Sequence, residues 1–187
     1  MFHDPSSFAV VQAFQQNWQA IRQEYLGLQA PFLDLHRNFG YDEYFARIKS
    51  ENGWLASWQL TSTEKNLSWD TYLLSLKGQF PDDATEKYPT VQALIRKYPQ
   101  VGTCLFSRMS PLYIIPPHDH ADLGGDILTC HLGIDLLAGH SYLNVEGVFE
   151  EEREGRALVF DGSTTHSAIN MSARERVVLY MEFDQSR

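Results

Sequence analysis

Cysteine is scarce in this chain. Cys104 and Cys130 are its only two, too few for a disulfide framework across 187 residues. Both are expected as reduced core residues on strands. Basic residues are also in short supply. Fifteen Lys and Arg stand against 24 Asp and Glu, a net charge of −9. That balance excludes a nucleic-acid partner from the expectations, because a phosphate backbone rewards cations. It still allows a small anionic ligand, since one buried arginine can hold a carboxylate whatever the overall charge. No apolar run approaches the roughly 20 residues that cross a bilayer, so no membrane partner is expected. Met1-Phe2-His3-Asp4-Pro5-Ser6-Ser7 lacks the basic n-region of a signal peptide, which leaves a cytoplasmic protein as the expectation. Repeats, low-complexity tracts and linkers are missing too. The length suits a single domain over 1–187, with a lead-in over 1–100 and a strand-rich core over 101–187.

What is present begins with a helix. Asp4-Pro5 pairs an N-cap acid with a proline at the first helical position. Phe8, Val11, Phe14, Trp18, Ile21, Tyr25 and Leu28 then recur at steps of three and four, one apolar stripe closed by Gly27 and Pro31. A short helix is expected over Tyr41–Ile48, then a turn at Asn52-Gly53. Trp54, Ala56, Trp58 and Leu60 alternate as a strand does, and so do Tyr72, Leu74 and Leu76. The tryptophans are expected in the core. Pro89 to Tyr98 reads as another helix.

From Val101 the pattern changes to short apolar runs split by Pro and Gly: 101–109, 113–115, 127–134, 142–145, 148–150, 157–160, 166–170 and 177–183. Runs at this spacing point to a sandwich, jelly roll or barrel, and no helix-length segment separates them as a βαβ fold would need. The fold class is therefore mainly β with N-terminal helices. Within 127–134, Thr129 and His131 share one face and Leu128, Cys130 and Leu132 the other, which suggests a polar lumen. The charge run over 150–154 reads as a solvated turn.

The residues that could carry chemistry lie in this second half. Pro116-Pro117 hold an extended backbone just before His118, with Asp119 and His120 next. His166 lies 48 residues after His118, at a loop-to-strand passage, and Arg176 ten residues later inside an apolar strand. An arginine there costs stability unless it is paired, either by a protein carboxylate or by a ligand. Jointly, two histidines and an arginine in this order suit a non-haem iron site. Imidazoles would hold Fe(II), and the planar guanidinium fork would grip the far carboxylate of 2-oxoglutarate.

The words Pro117-His118, His131-Leu132-Gly133-Ile134, Phe160-Asp161-x-Ser163-x-x-His166, Asn170 and Arg176 resemble the aspartyl/asparaginyl β-hydroxylase family of Fe(II)/2-oxoglutarate dioxygenases, over roughly the last hundred residues. The resemblance implies a cupin-like double-stranded β-helix, with Fe(II) and 2-oxoglutarate as cofactor and cosubstrate. It implies His118 and His166 as iron ligands and Arg176 at the distal carboxylate. Ser107 would assist Arg176, and His131 would make a further cosubstrate contact. Asp161 and Asn170 are expected to shape turns. The chain also departs from the family. The position two after His118 is His120 and not an acid, so the third ligand could be His120, Asp119, Asp122 or water. Thr129 stands where family members often carry a basic residue. Together with the acidic 122–126 segment, that favours a neutral or cationic substrate.

The expected function is hydroxylation of an unactivated carbon in an amino-acid, peptide or metabolite substrate, with dioxygen consumed. The alternative is a cupin-like metal-binding protein or isomerase that does not use 2-oxoglutarate and keeps Arg176 for a structural ion pair.

Overall fold

The computed structural model describes residues 1–35, 41–58, 64–121 and 123–187. Leu60 of the early alternating run lies outside them, as does Asp122. Asp4 caps the first turn as expected: its side chain accepts from the Ser6 amide at 2.9 Å, and a 3-10 turn over Pro5–Ser7 follows. The stripe beyond it forms two helices rather than one, α1 (Ala9–Gln16) and α2 (Trp18–Gly27), with the break at Asn17 (φ −106°, ψ 10°). The Asn17 side chain donates to the Ala13 carbonyl, a local bond that competes with the helical ladder. Both helices still lay the stripe inward. Val10, Val11, Phe14 and Ile21 are buried, and Phe8, Trp18, Tyr25 and Leu28 pack against the same core. Three further helices follow: α3 (Tyr41–Glu51), α4 (Ala84–Lys87) and α5 (Pro89–Lys97), the last with its proline in the first turn.

The strands are β1 (Phe2–His3), β2 (Trp54–Trp58), β3 (Lys65–Leu76), β4 (Val101–Met109), β5 (Tyr113–His118), β6 (Ile127–Asp135), β7 (Ser141–Val145), β8 (Val148–Glu151), β9 (Ala157–Phe160), β10 (His166–Asn170) and β11 (Arg176–Asp184). They form a seven-stranded sheet in the order β1-β9-β6-β11-β4-β3-β2 and a four-stranded sheet in the order β5-β10-β7-β8. The pairings between these strands are antiparallel. From β4 to β11 the chain crosses back and forth between the two sheets, apart from the β7–β8 hairpin within the smaller one, in a double-stranded β-helix, or jelly roll. β3 and β2 extend the larger sheet beyond β4, which ties the first half of the chain to the second. β5 runs on through Pro116-Pro117 to His118, further than its apolar run suggests. It is an edge strand, where a missing amide donor is tolerated.

Alternation sorts the larger sheet into two faces. Cys104, Phe106, Cys130, Leu132, Ala157, Val159, Val177 and Leu179 meet the helices in one apolar core. The opposite face looks toward the smaller sheet, where Met109, Leu158 and Phe160 pack on Ile115, Leu143, Val145 and Ala168. Both cysteines are buried and free, one on β4 and one on β6. Trp54 is a core residue, ringed by Tyr25 and Tyr72.

Candidate active site

The site lies between the two sheets. Strand register places His166 directly opposite His118 on the neighbouring strand. Their ring centroids are 4.3 Å apart, and the His120 ring lies 5.3 Å from each. His120 is brought in by the loop after β5, where its amide donates to the Gly162 carbonyl at 3.0 Å. One ring nitrogen from each of His118, His120 and His166 falls within 4.8 Å of the others, a geometry that could hold a metal ion. No carboxylate joins this cluster among the described residues. Asp119 is exposed.

Two of the three rings are set in tautomer as well as in position. His118 Nδ1 lies 2.8 Å from the Pro116 carbonyl, and His166 Nδ1 lies 2.8 Å from the Thr164 carbonyl. A carbonyl only accepts, so each Nδ1 carries the proton and each Nε2 keeps its lone pair for a metal. Ligand histidines are oriented in the same way by the hydrogen bond on their other nitrogen. Burial pulls the His166 pKa from its ordinary 6.5 to about 3, only partly offset by the Thr164 carbonyl. The ring is therefore neutral, the form a metal needs.

Deeper in the lumen is a second polar group. Arg176 is 1% exposed and Glu152 2%. Arg176 Nε donates to Glu152 Oε2 at 2.8 Å, and Nη2 donates to Oε1. Glu152 Oε1 also lies 3.1 Å from His131 Nδ1. The carboxylate can only accept, so Nδ1 of His131 holds the proton. The 3.2 Å approach of Arg176 Nη2 to that same nitrogen is then donor facing donor, a packing contact. Burial raises the Glu152 carboxyl, but the Arg176 charge and the bonds from His131 and Arg176 outweigh it and hold the group well below the usual carboxylate range. Burial keeps the His131 pKa low despite Glu152.

These residues share one wall. Thr129 and His131 on β6 face the lumen and Leu128, Cys130 and Leu132 face the helices, the division expected from alternation. Ser107 on β4 is buried, and its hydroxyl accepts from Trp69 Nε1 at 3.1 Å. Tyr180 on β11 links the two clusters, 6.4 Å from the His120 ring and 5.7 Å from the His131 ring. Its hydroxyl donates to Glu182 Oε1 at 2.7 Å. A cavity of about 160 Å³ is lined by Trp69, Thr71, Ser107, His120, Tyr180 and Glu182. A second, of about 420 Å³, adjoins it at Thr103, His120 and Glu182 and reaches Leu123, Ile127 and Asp184.

The structure thus brings His118, His120 and His166 together at one level of the lumen and Arg176 and His131 together at another, with Ser107 on the same wall. Asp161 and Asn170 close turns onto Ser163 and Ser172, as expected of them. Glu152 is a correction. The charge run read as a solvated turn sends this one carboxylate inward, while Arg153 and Glu154 remain at the surface. Trp69, Tyr180 and Glu182 were also missed. Alternation along β11 would have found the last two, because they lie on the face opposite Val177 and Leu179. Trp69 lies before the run from which β3 was read.

The fold and the site define a jelly roll with a histidine cluster that could hold a metal ion, and sequence comparison narrows it. The family model for aspartyl/asparaginyl beta-hydroxylase matches residues 15–186, and the chain belongs to that family of hydroxylases. An ornithine lipid ester-linked acyl 2-hydroxylase from Rhizobium tropici is 30% identical over 117 residues, which cover 62% of this chain and 41% of that relative's length. Among solved structures, a 2OG-Fe(II) oxygenase family oxidoreductase from Burkholderia pseudomallei is similar over 84% of this chain and 96% of its own, at 13% identity and a TM-score of 0.48. The Schizosaccharomyces pombe Cnp3 cupin domain is similar over 70% and 74%, at 10% identity and a TM-score of 0.42. No helix among the described residues is long and apolar enough to cross a membrane.

Proposed function

We propose that this chain is an Fe(II)- and 2-oxoglutarate-dependent hydroxylase, working in the cytoplasm as a single domain over 1–187. The observation that carries the reading is the convergence of three imidazoles, two with Nε2 left open, in the same lumen as a buried arginine. The nitrogen donors fit a divalent iron ion, which imidazole suits. His118 and His166 would hold it, and His120 would complete a three-histidine set. Iron bound there would supply the oxidation of substrate by dioxygen, coupled to conversion of 2-oxoglutarate to succinate and CO2.

The chain's own residues would do the rest. Arg176 would bind the distal carboxylate through the guanidinium edge that Glu152 leaves open. Ser107 would add a hydroxyl on the same wall. His131, neutral and with Nδ1 tied to Glu152, would present Nε2 only as an acceptor. Trp69, Tyr180 and Phe160 would line the space between the metal level and the arginine level and keep water out of it. The substrate would enter through the larger cavity. Glu182 and Asp184 at its wall weigh against an anionic substrate. An amino-acid or peptide side chain, or the acyl chain of a metabolite or lipid, all remain compatible with it. The named relative points to the last of these.

Anaerobic addition of Fe(II) and then 2-oxoglutarate tests the reading: a weak visible charge-transfer band is expected only when both are present. Arg176→Ala alone would strand the Glu152 charge, so the companion variant replaces both Arg176 and Glu152 with Met, a change buried ion pairs often tolerate. It should keep metal binding and lose roughly tenfold or more in 2-oxoglutarate affinity, the worth of a charged hydrogen bond. A second reading, a cupin-like protein that does not use 2-oxoglutarate, draws on the Glu152–Arg176 pair, since an arginine already paired needs no diacid. With Mn(II) bound, it expects no rise in melting temperature on adding 2-oxoglutarate.

A further inference from the structure

Glu152 reaches Arg176 because of a glycine on another strand. A Cβ at Gly133 would lie 2.1 Å from the Arg153 carbonyl oxygen, so only glycine lets the segment after β8 lie against β6. Gly133 donates to the Arg156 carbonyl and accepts from the Gly155 amide, and the Glu152 amide donates to the Ser141 carbonyl. Pinned on both sides, Glu152 delivers its carboxylate to the Nε and Nη2 edge of Arg176. Nη1 is equally buried and has no hydrogen-bond partner among the described residues. Thr129 Oγ1, on the same lumen wall, is buried without a partner as well. Folded interiors rarely leave a buried guanidinium nitrogen unmatched, and Nη1, on an arginine set between the sheets, is the group a ligand would meet.

We propose that Glu152 sets the affinity and selectivity of the lumen for an anionic cosubstrate. It stays on its edge of Arg176 when the ligand binds, leaves the Nη1 side to receive the ligand's far end, and cancels the charge that would draw a second carboxylate in. This rests on the proposed use of 2-oxoglutarate. Glu152 stays because both of its oxygens are held, by Arg176 and by His131, and because leaving would carry a charge through a packed interior. A ligand carboxylate arriving at Nη1 then meets a resident one across the same guanidinium. A neutral carbonyl at that place takes the Nη1 hydrogen bond without the repulsion. Glu152 is a positioning residue that determines specificity through Arg176.

The test is calorimetric titration of the full chain, loaded with Mn(II) under anaerobic conditions, with 2-oxoglutarate and with its 5-methyl ester. The wild type should bind the two within about threefold of each other, because its arginine is already neutralised. E152Q should bind 2-oxoglutarate about tenfold tighter than the wild type and prefer it to the ester by a similar factor, as expected when a like charge is removed. A wild type that prefers the diacid by tenfold or more would overturn the proposal, and that measurement needs no variant. Equal diacid affinity in wild type and E152Q would overturn it too, while leaving the use of 2-oxoglutarate intact. Binding of neither ligand to either protein would remove both ideas together.

Discussion

Along β11, Val177, Leu179, Met181 and Phe183 turn to the helices, while Arg176, Tyr180 and Glu182 turn to the lumen. One strand therefore serves two regions with different rules. On the helix side the contacts are apolar and interchangeable, and stability scales with the area and volume filled. On the lumen side each buried polar group needs a named partner: Arg176 has Glu152, Ser107 has Trp69, and His166 has the Thr164 carbonyl. The helix side holds the sheet together. The lumen side spends part of that stability on groups whose partners are incomplete until something binds.

Three perturbations sharpen this contrast, ranked by their expected effect on stability. Phe106, fully buried on the helix side, should give the largest. Phe106→Ala should lower the unfolding free energy by about 3–5 kcal/mol in denaturant titrations, without changing metal affinity in the molecules that remain folded. Acid should come next, through the lumen. Glu152 and His131 both have lowered pKa values in the folded protein, so the unfolded chain binds more protons as pH falls. Their contributions are present above the ordinary values of 6.5 for His131 and 4.5 for Glu152 and are lost below them. Stability should therefore fall below pH 6.5 and more steeply below 4.5, by at most about 1.4 kcal/mol per pH unit for each group. A pH-resolved series of thermal melts on the metal-free protein would show it; flat stability from pH 7 to 4 would contradict the burial of a neutral His131 beside an ionised Glu152. The smallest stability effect should come from His118→Ala, because the ring is only half-buried at an edge strand. Its loss should shift stability by less than about 1 kcal/mol, as surface changes do. The variant should nonetheless lose most of its Mn(II) affinity by electron paramagnetic resonance titration. If metal affinity survives, the triad is not a metal site.

How much of this could be read in the chain depended on distance along it. β9 and β10 have the bounds that their apolar runs suggest, and Thr129 and His131 share a face as their spacing requires. The single expected N-terminal helix divides at Asn17 because a side-chain bond to the Ala13 carbonyl competes with the ladder, a detail that an unbroken apolar stripe conceals. The inward turn of Glu152 was hidden for a different reason. Its neighbours over 150–154 are charged, and local composition reports only the average environment of a run. What singles it out is Gly133, 19 residues earlier, on a strand whose sequence says nothing of what crosses it.

The sequence alone determined which side chains share a face, because the pleat alternates every second residue and needs no partner to do so. It also offered His118 and His166 as candidate metal donors and left the third open among His120, Asp119, Asp122 and water. Only the tertiary structure decided that His166 lies opposite His118, that His120 joins them, and that the arginine already has a carboxylate on one edge. Each of these is a pairing between segments far apart in the chain. Strand register and loop crossings set such pairings through the packing of the whole molecule.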